Sequence, residues 1–362
     1  MTSTVLPRPA DAFDVDALRA WLETWAPALI PSGARITVRQ FPGGFSNLTF
    51  LLHVESDAGP GRYVLRRPPR GARAAGAHDM GREHELLRAL HPLGVPVPRP
   101  LARCDDERVI GAPFYIMEHV DGVILRGAHP PELSSDETVR REQLQGLSRG
   151  FVRTIAGLHA VDVNSGALHA FARSGSYVVR QTRGWTTRWV ASQTDPVPDI
   201  DDIAAWLDAH RPPDGAPVLV HNDFKFDNLV LDRDDLTRVA AILDWEMATV
   251  GDPLMDLGTS LAYWVEADDP PIFRSLGLGV TALPGSATRA EIVRMYASET
   301  GRDTSNALFC YVFGLFKVAV IAQQIYARHA KGHASDPRFA RLNEVVAAFG
   351  AHGTRAIADG RI

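Results

Sequence analysis

The segment "LVHNDFKFDNLVLD", residues 219–232, concentrates acidic, amide and basic side chains between two apolar pairs. Asp223 and Asn228 lie in it, and a later segment, "ILDWE", adds Asp244. If both segments are strand–loop elements of one small sheet, these three side chains can converge on one point. Carboxylate and amide oxygens together with phosphate oxygens suit Mg²⁺, and a further carboxylate could orient or deprotonate an attacking hydroxyl. The pattern therefore predicts phosphoryl-transfer chemistry, in which positioning and charge neutralisation dominate. The alternative is a polar hairpin loop between two strands.

The order of the motifs favours phosphoryl-transfer chemistry over a polar hairpin loop. H-N-D-x-x-x-x-N is followed by apolar-apolar-D-W-E and then by "GDPLMDLG". This order resembles the aminoglycoside phosphotransferase family, a branch of the kinase-like fold. The continuation "LDWE…GDPLMDL" is especially similar to the phosphotransferase modules that occur fused to acyl-CoA dehydrogenases. The resemblance extends over roughly residues 38–328, and several motifs in the right order are more specific than any one alone.

The resemblance implies roles for the polar residues of these motifs. Asp223 would be the catalytic base, Asn228 and Asp244 would hold magnesium, and Lys225 would neutralise the transferred phosphoryl group. His221 would be structural, since it ties the catalytic loop to its surroundings.

Other residues of these motifs concern the backbone conformation of the loop or its attachment to the fold. Asn222 stands where the family usually has glycine, and asparagine is the next residue to tolerate a positive φ. Asp252 and Asp256 would brace the loop from the start of a helix. His159 is interpreted as a histidine at a helix end, without a catalytic role.

"FPGGFSNLTF" resembles the nucleotide-phosphate loop of the family. Gly43 and Gly44 allow the turn, and Ser46 and Asn47 with their backbone N–H groups could face phosphate oxygens. A plain glycine hairpin is the alternative.

Three further segments complete the predicted nucleotide site. "RYVLRRPP" places Arg66 where kinases carry a phosphate-pairing lysine, and arginine keeps the charge; the alternative is that Arg66 and Arg67 cap a surface strand. Glu83 matches the helix glutamate that pairs with this cation, with Glu85 as a rival. "FYIMEHVDG" resembles the hinge that receives adenine. The hinge residues would be Met117, Glu118 and His119.

Hydrophobic periodicity together with the resemblance predicts an α+β, bilobal protein-kinase-like fold. Residues 1–119 would form the nucleotide-binding lobe, a small antiparallel sheet with one inserted helix after a leading helix. Residues 120–362 would form a larger, mainly helical catalytic and substrate lobe. The apolar stretch 307–322 is interrupted by Lys317 and is interpreted as a buried core helix rather than a membrane span.

Composition excludes some classes of partner. The formal net charge is -5, so the molecule as a whole lacks the basic balance of a nucleic-acid binder. Only two cysteines occur, Cys104 and Cys310, which we interpret as free thiols in a reducing compartment. No CxxC or HExxH pattern indicates zinc. The N-terminus lacks a signal-peptide pattern, so we expect a cytoplasmic protein without a membrane partner.

The leading functional hypothesis is a small-molecule kinase that uses Mg²⁺ and ATP or GTP to phosphorylate a substrate hydroxyl. The acceptor would be a hydroxyacyl-type metabolite, and an aminoglycoside phosphotransferase proper is one alternative. Another is a nucleotide-binding pseudokinase, favoured only by Arg66 and Asn222. A metal-dependent hydrolase using His221, Asp223 and Asp227 is disfavoured because no second histidine has ligand spacing.

Overall fold

The chain divides into two compact units. A computed structural model describes residues 4–42, 47–57, 59–69, 78–127, 129–164, 166–274, 279–332 and 336–362. The first unit comprises Met1–Val123 with two later segments, Val230–Arg233 and Ala240–Met247, and the remaining residues form the second unit. The predicted division between residues 119 and 120 did not include the two later segments, because nothing local in their sequence separates them from the second unit.

The first unit is built on a five-stranded antiparallel sheet, as predicted. Its strands are β1 Arg35–Gln40, β2 Leu48–Ser56, β3 Gly59–Arg67, β4 Pro100–Cys104 and β5 Phe114–Glu118. Their order in the sheet is β1-β2-β3-β5-β4, and every neighbouring pair is antiparallel. The leading helix α1 spans Val15–Trp25, and the helix α2, Met80–Leu90, lies between β3 and β4 in sequence.

Alternation along the strands supplies the core of this unit. Phe50 and Leu52 of β2 point to one face, as residues two apart in a strand do, and both are buried. Leu18 and Leu22 of α1, one helical turn apart, join the same core. The Asp14 side chain caps the start of α1 by accepting the N–H of residue 17.

The second unit is mainly helical. Its helices are α3 Glu137–His159, α4 Tyr177–Ser192, α5 Pro198–Ala209, α6 Pro253–Ala262, α7 Pro271–Arg274, α8 Arg289–Thr300, α9 Ala307–Ala330 and α10 Leu342–Asp359. The helices that enclose α9 leave most of it buried.

Four short strands carry the polar motifs, and they form two separate sheets rather than the one small sheet on which the convergence of the motifs was made conditional. They are β6 Val218–Val220, β7 Leu229–Leu231, β8 Val239–Ile242 and β9 Thr249–Gly251. β6 pairs with β9, whereas β7 pairs with β8, so the two pairs are nested in sequence but form separate sheets. The inner pair contributes to the first unit through the backbone bridge between Val123 and Leu231.

Helix α9 was predicted as a core helix, and its burial confirms this. Among the helices of the described residues, α9 is the one whose length and apolar composition would allow it to cross a membrane. However, 78% of its most apolar 18-residue stretch is buried inside the protein. Both cysteines are also buried and free, as predicted.

Helix α10 was not predicted, because Gly350 and Gly353 weaken its helical signal. Both glycines lie against α5: a Cβ at Gly350 would be 2.9 Å from the Cβ of Asp199, and one at Gly353 would crowd Ile203. The close approach of the two helices therefore requires residues that look unfavourable in the isolated sequence.

Gly314→Ala is expected to lower the free energy of unfolding by about 1–3 kcal/mol, the usual cost of overpacking. A Cβ at this position of α9 would overlap the carbonyl oxygen of Gly258 on α6. The matched control is Gly157→Ala in α3, where an added Cβ meets nothing within 4 Å; that variant should gain stability of up to ~1 kcal/mol from helix propensity. Urea unfolding of both variants measures the difference, and equal effects would contradict the close approach of α6 and α9.

Candidate active site

The loop after β6 is anchored by alternating side chains. Phe224 and Phe226 are buried, whereas Asp223 and Lys225 are partly exposed. Both phenylalanine rings pack on Phe151 of α3, with centroid distances of 4.7 and 5.2 Å. This alternation holds one side of the loop in the core and directs the polar side chains away from it.

The carboxylate of Asp256, in the first turn of α6, holds the start of the loop. Its two oxygens accept the backbone N–H groups of His221 at 2.7 Å and Asn222 at 2.6 Å. His159, at the end of α3, places Nε2 3.2 Å from the same carboxylate. Burial alone would raise the pKa of Asp256, but His159, His221 and the hydrogen bonds outweigh it and lower the pKa. The predicted bracing role of Asp256 is confirmed. Asp252 instead caps α6 and accepts the N–H of residue 215.

Asn222 adopts the left-handed conformation predicted for the position where the family usually has glycine, with φ of 66°. Its side-chain oxygen accepts the hydroxyl of Tyr177 at 2.8 Å, and its backbone carbonyl accepts the ammonium of Lys317 at 2.6 Å. Together with the bond from its N–H to Asp256, these contacts hold the residue on three sides. Asparagine is therefore accommodated here by specific partners.

Asp223 lies at the centre of a polar cluster. The Lys225 ammonium is 2.8 Å from both carboxylate oxygens, and the Asn228 amide donates to one of them at 2.8 Å. Burial alone would raise the pKa of Asp223, but the charge and hydrogen bonds of Lys225 outweigh it and lower the pKa. The carboxyl group is therefore ionised at neutral pH, and its side chain is still 16% exposed.

A pocket in the second unit begins at Lys225. Apolar and aromatic side chains dominate its lining, joined by one carboxylate, one ammonium and the hydroxyls of a serine, a threonine and a tyrosine. The lining residues are Leu125, Phe151, Lys225, Phe226, Asp227, Ser260, Tyr263, Trp264, Val280 and Thr281. The Lys225 ammonium lies 4.4 Å from the centre of the Tyr263 ring, so the pocket and the polar cluster are continuous.

Arg66 of β3 forms the second polar cluster, within the first unit. Its guanidinium lies 2.9 Å from Asp244, 3.4 Å from Glu83 and 3.6 Å from Glu246. The rival Glu85 instead pairs with arginines on the surface. Burial outweighs the attraction of Arg66 and raises the pKa of Glu83. Three carboxyl groups thus surround one guanidinium, and the alternative of Arg66 as a cap on a surface strand does not fit its burial.

The segment after β8 is held by its own backbone. Asp244 has a φ of 66°, and the following N–H, of Trp245, donates to Glu83 at 3.2 Å. The Trp245 indole donates to the carbonyl of Ile242 at 2.8 Å. These bonds direct Asp244 toward Arg66, so the structure brings Asp244 together with Arg66 and Glu83, and Asn228 together with Asp223.

The predicted phosphate loop is described in part. Gly43, Gly44 and Ser46 lie outside the described residues. The Asn47 side chain donates to Glu246 at 2.8 Å, so Asn47 joins the Arg66 cluster. Glu246 is the last residue of the quoted "ILDWE", but the sequence assigned it no role.

The predicted hinge lies at the end of β5. Met117 is buried, and the Glu118 N–H donates to the carbonyl of Arg99 at 2.9 Å. The Glu118 carboxylate accepts the N–H of Arg99 at 2.8 Å, and the His119 imidazole lies 3.8 Å from Asp121. Binding of adenine by these residues stays a prediction.

Tyr263 and Lys317 are site residues to which the sequence assigned no role. Tyr263 was only one of several aromatic residues of the helical region. A lysine in an apolar helix, such as Lys317, must find a buried polar partner or cost the fold several kcal/mol, and this signal could have indicated it.

Comparisons with known proteins agree with this geometry. The sequence profile of the phosphotransferase enzyme family (APH) matches residues 37–291, more than half of the chain. Acyl-CoA dehydrogenase family member 11 of Rattus norvegicus is 36% identical over 348 residues, which cover 94% of this chain and 43% of that protein. The chain therefore spans less than half the length of this relative.

Solved structures that resemble this chain also include phosphotransferases. A Ralstonia eutropha JMP134 protein, provisionally assigned as an aminoglycoside phosphotransferase, has a TM-score of 0.73 and 30% identity, covering 95% of this chain and 99% of its own. A thermostable mutant of aminoglycoside phosphotransferase APH(4)-Ia, in a ternary complex with AMP-PNP and hygromycin B, has a TM-score of 0.56 and 15% identity, covering 94% and 97%. The second likeness concerns the fold alone.

Asp256→Asn is expected to lower the free energy of unfolding by about 2–3 kcal/mol at neutral pH, because a buried charged acceptor of two N–H groups is lost. Asp256 has a depressed pKa, so its stabilisation is present above the ordinary value of 3.8 and is lost as the pH falls through its lower folded value. Urea unfolding across this range should therefore show the wild type and the variant converging in acid.

The exposed Asp202→Asn in α5 is the surface control, and it should match the wild type throughout. If the free energy of unfolding of the Asp256 variant stays below that of the wild type by the same amount down to the lowest pH, the stabilisation by Asp256 is not electrostatic.

Proposed function

Since the chain belongs to the phosphotransferase enzyme family, with the kinase-like fold, we propose that it transfers the γ-phosphoryl group of ATP or GTP to the hydroxyl of a small molecule. The observation that carries the proposal is the Asp223 carboxylate, which is ionised, partly exposed and held by Lys225, a residue of the pocket lining. A substrate hydroxyl next to Asp223 could donate a hydrogen bond to it, and the carboxylate would take the proton of that hydroxyl as the phosphoryl group is transferred.

Lys225 fits two tasks in this proposal. Its ammonium orients Asp223 through both carboxylate oxygens, and burial is outweighed by that carboxylate, which raises the pKa of Lys225. Lys225 therefore stays charged throughout the working pH range. It can neutralise the transferred phosphoryl group, as the family resemblance implies.

The acceptor is proposed to be a hydroxyacyl-type metabolite. Aromatic rings of Phe151, Phe226 and Trp264 pack within 5.0–5.7 Å of each other along the pocket, a lining that favours a hydrocarbon segment. A polycationic aminoglycoside calls for several carboxylates, whereas Asp227 is the one acid of the lining and burial raises its pKa. The acyl-CoA dehydrogenase name of the rat relative supports the same choice.

The nucleotide is proposed to bind with magnesium. The Arg66 cluster carries three carboxyl groups against one guanidinium, an excess of negative charge that a divalent cation would offset. In the described part of the chain no three His, Cys, Asp or Glu side chains are grouped to hold a metal. Magnesium commonly takes one or two protein carboxylates and completes its shell with phosphates and water. Asn228 and Asp244 stay the predicted ligands, and the ion would supply charge neutralisation on the phosphates.

Asp223→Asn tests the role of the base. The substitution should lower kcat by about 10²–10⁴-fold, the usual contribution of a general base, while the Kd for MgATP changes little. Steady-state phosphorylation assays and calorimetry with MgATP measure the two quantities. Asp202→Asn is the control and should keep both values. Parallel loss of turnover and nucleotide affinity in the Asp223 variant would contradict its assignment as the base.

Turnover of a substrate panel tests the acceptor class. With MgATP and MgGTP, hydroxyacyl-CoAs should give a kcat/KM at least about tenfold above aminoglycosides, choline and homoserine, because one or two buried methylenes in an apolar pocket already contribute this much. Acyl-CoAs without the hydroxyl should bind without being phosphorylated. Turnover on aminoglycosides alone would exclude the hydroxyacyl proposal and leave the kinase assignment intact.

A further inference from the structure

Lys317 is a buried charge in the middle of the most apolar helix of the protein. It lies between Phe316 and Val318 of α9 and is 1% exposed. Burying an ammonium disfavours its charged form, and an apolar residue of similar length would pack there without that cost. The position therefore calls for an explanation beyond packing.

The contacts of Lys317 are directed at the catalytic loop. Its ammonium donates to the backbone carbonyl of Asn222 at 2.6 Å and lies 5.7 Å from the centre of the Trp185 ring on α4. The peptide unit that carries this carbonyl also carries the N–H of Asp223, which donates to His221 Nδ1 at 3.3 Å. Both ends of the peptide that leads into Asp223 are thus held.

Charged groups from three neighbouring elements act on the ammonium. Asp223 of the loop and Asp256 of α6 favour its charged form, whereas Lys225 of the loop and Arg188 of α4 oppose it. Burial is the largest influence and lowers the pKa of Lys317 to about 8. The residue is therefore charged at neutral pH and loses its proton in mild alkali.

We propose that Lys317 is a positioning residue for phosphoryl transfer: its ammonium fixes the Asn222–Asp223 peptide through a charge-assisted hydrogen bond and so sets the direction of the Asp223 carboxylate. Such bonds are roughly twice as strong as neutral ones. Asp256 fixes the preceding peptide through the Asn222 N–H, so two consecutive peptide units are restrained by buried charges of opposite sign. The catalytic part of this inference rests on the function proposed above.

Two substitutions separate the hydrogen bond from the charge. Lys317→Met removes both, and kcat should fall by about 10²-fold, as a small misplacement of a catalytic group does, while the KM for MgATP stays within about twofold. Lys317→Gln keeps a donor without the charge. Its kcat should equal the reduced wild-type value found in alkali and should not decline further above a pH of about 8, where wild-type activity falls.

Amide hydrogen exchange of the loop gives a readout that does not depend on activity. Lys317→Met should lose protection at His221, Asn222 and Asp223, and the exposed Lys331→Gln at the end of α9 should not. Unchanged protection in the methionine variant would overturn the positioning role whatever the kinetics show. Lost protection in a protein whose wild type phosphorylates no acceptor would instead overturn the proposed function and keep the restraint of the loop. A glutamine variant with wild-type kcat and an unaltered alkaline decline would exclude the role of the charge.

Discussion

The carboxylate of Asp256 is the constraint on which the rest of the second unit's polar site depends. It accepts two consecutive backbone N–H groups, of His221 and Asn222, in a place where neither could reach water. Buried N–H groups without partners are costly, and so is a buried carboxylate without donors. The hydrogen bonds between the two N–H groups and the Asp256 carboxylate offset the desolvation of both, and His159 adds a further contact to the carboxylate. The loop conformation therefore follows from the requirement to satisfy this one buried anion.

The restraint on the loop and the reactivity of its carboxylate come from different parts of the same segment. Asn222, the residue before Asp223, is held through its backbone by charged groups of α6 and α9 and through its side chain by a hydroxyl of α4, all buried. The side chain of Asp223 is partly exposed, and Lys225, which lines a pocket, holds both of its oxygens. Rigid backbone around an accessible carboxylate is the arrangement that pre-organises a reactive group, because little reorganisation then remains for the reaction itself.

The first unit applies a similar principle to a cation. Arg66 is buried with three carboxyl groups around it, and the Trp245 N–H stabilises one of them, Glu83. Arginine suits this position because its planar guanidinium can contact several oxygens at once, which a lysine ammonium does less well. The departure from the usual kinase lysine is thus matched by the number of acidic partners.

The order of the motifs predicted the family and the central polar residues, hydrophobic periodicity predicted the antiparallel sheet of the first unit, and the family's usual glycine predicted the positive φ at Asn222. These features depend on local residue types and their order. Only the tertiary structure decided that β6 and β7 belong to separate sheets, that α10 packs through its glycines, and that Lys317 contacts the loop. Those features depend on buried groups far apart in sequence finding each other. A local sequence pattern does not indicate which distant residue a buried lysine or a helical glycine will contact.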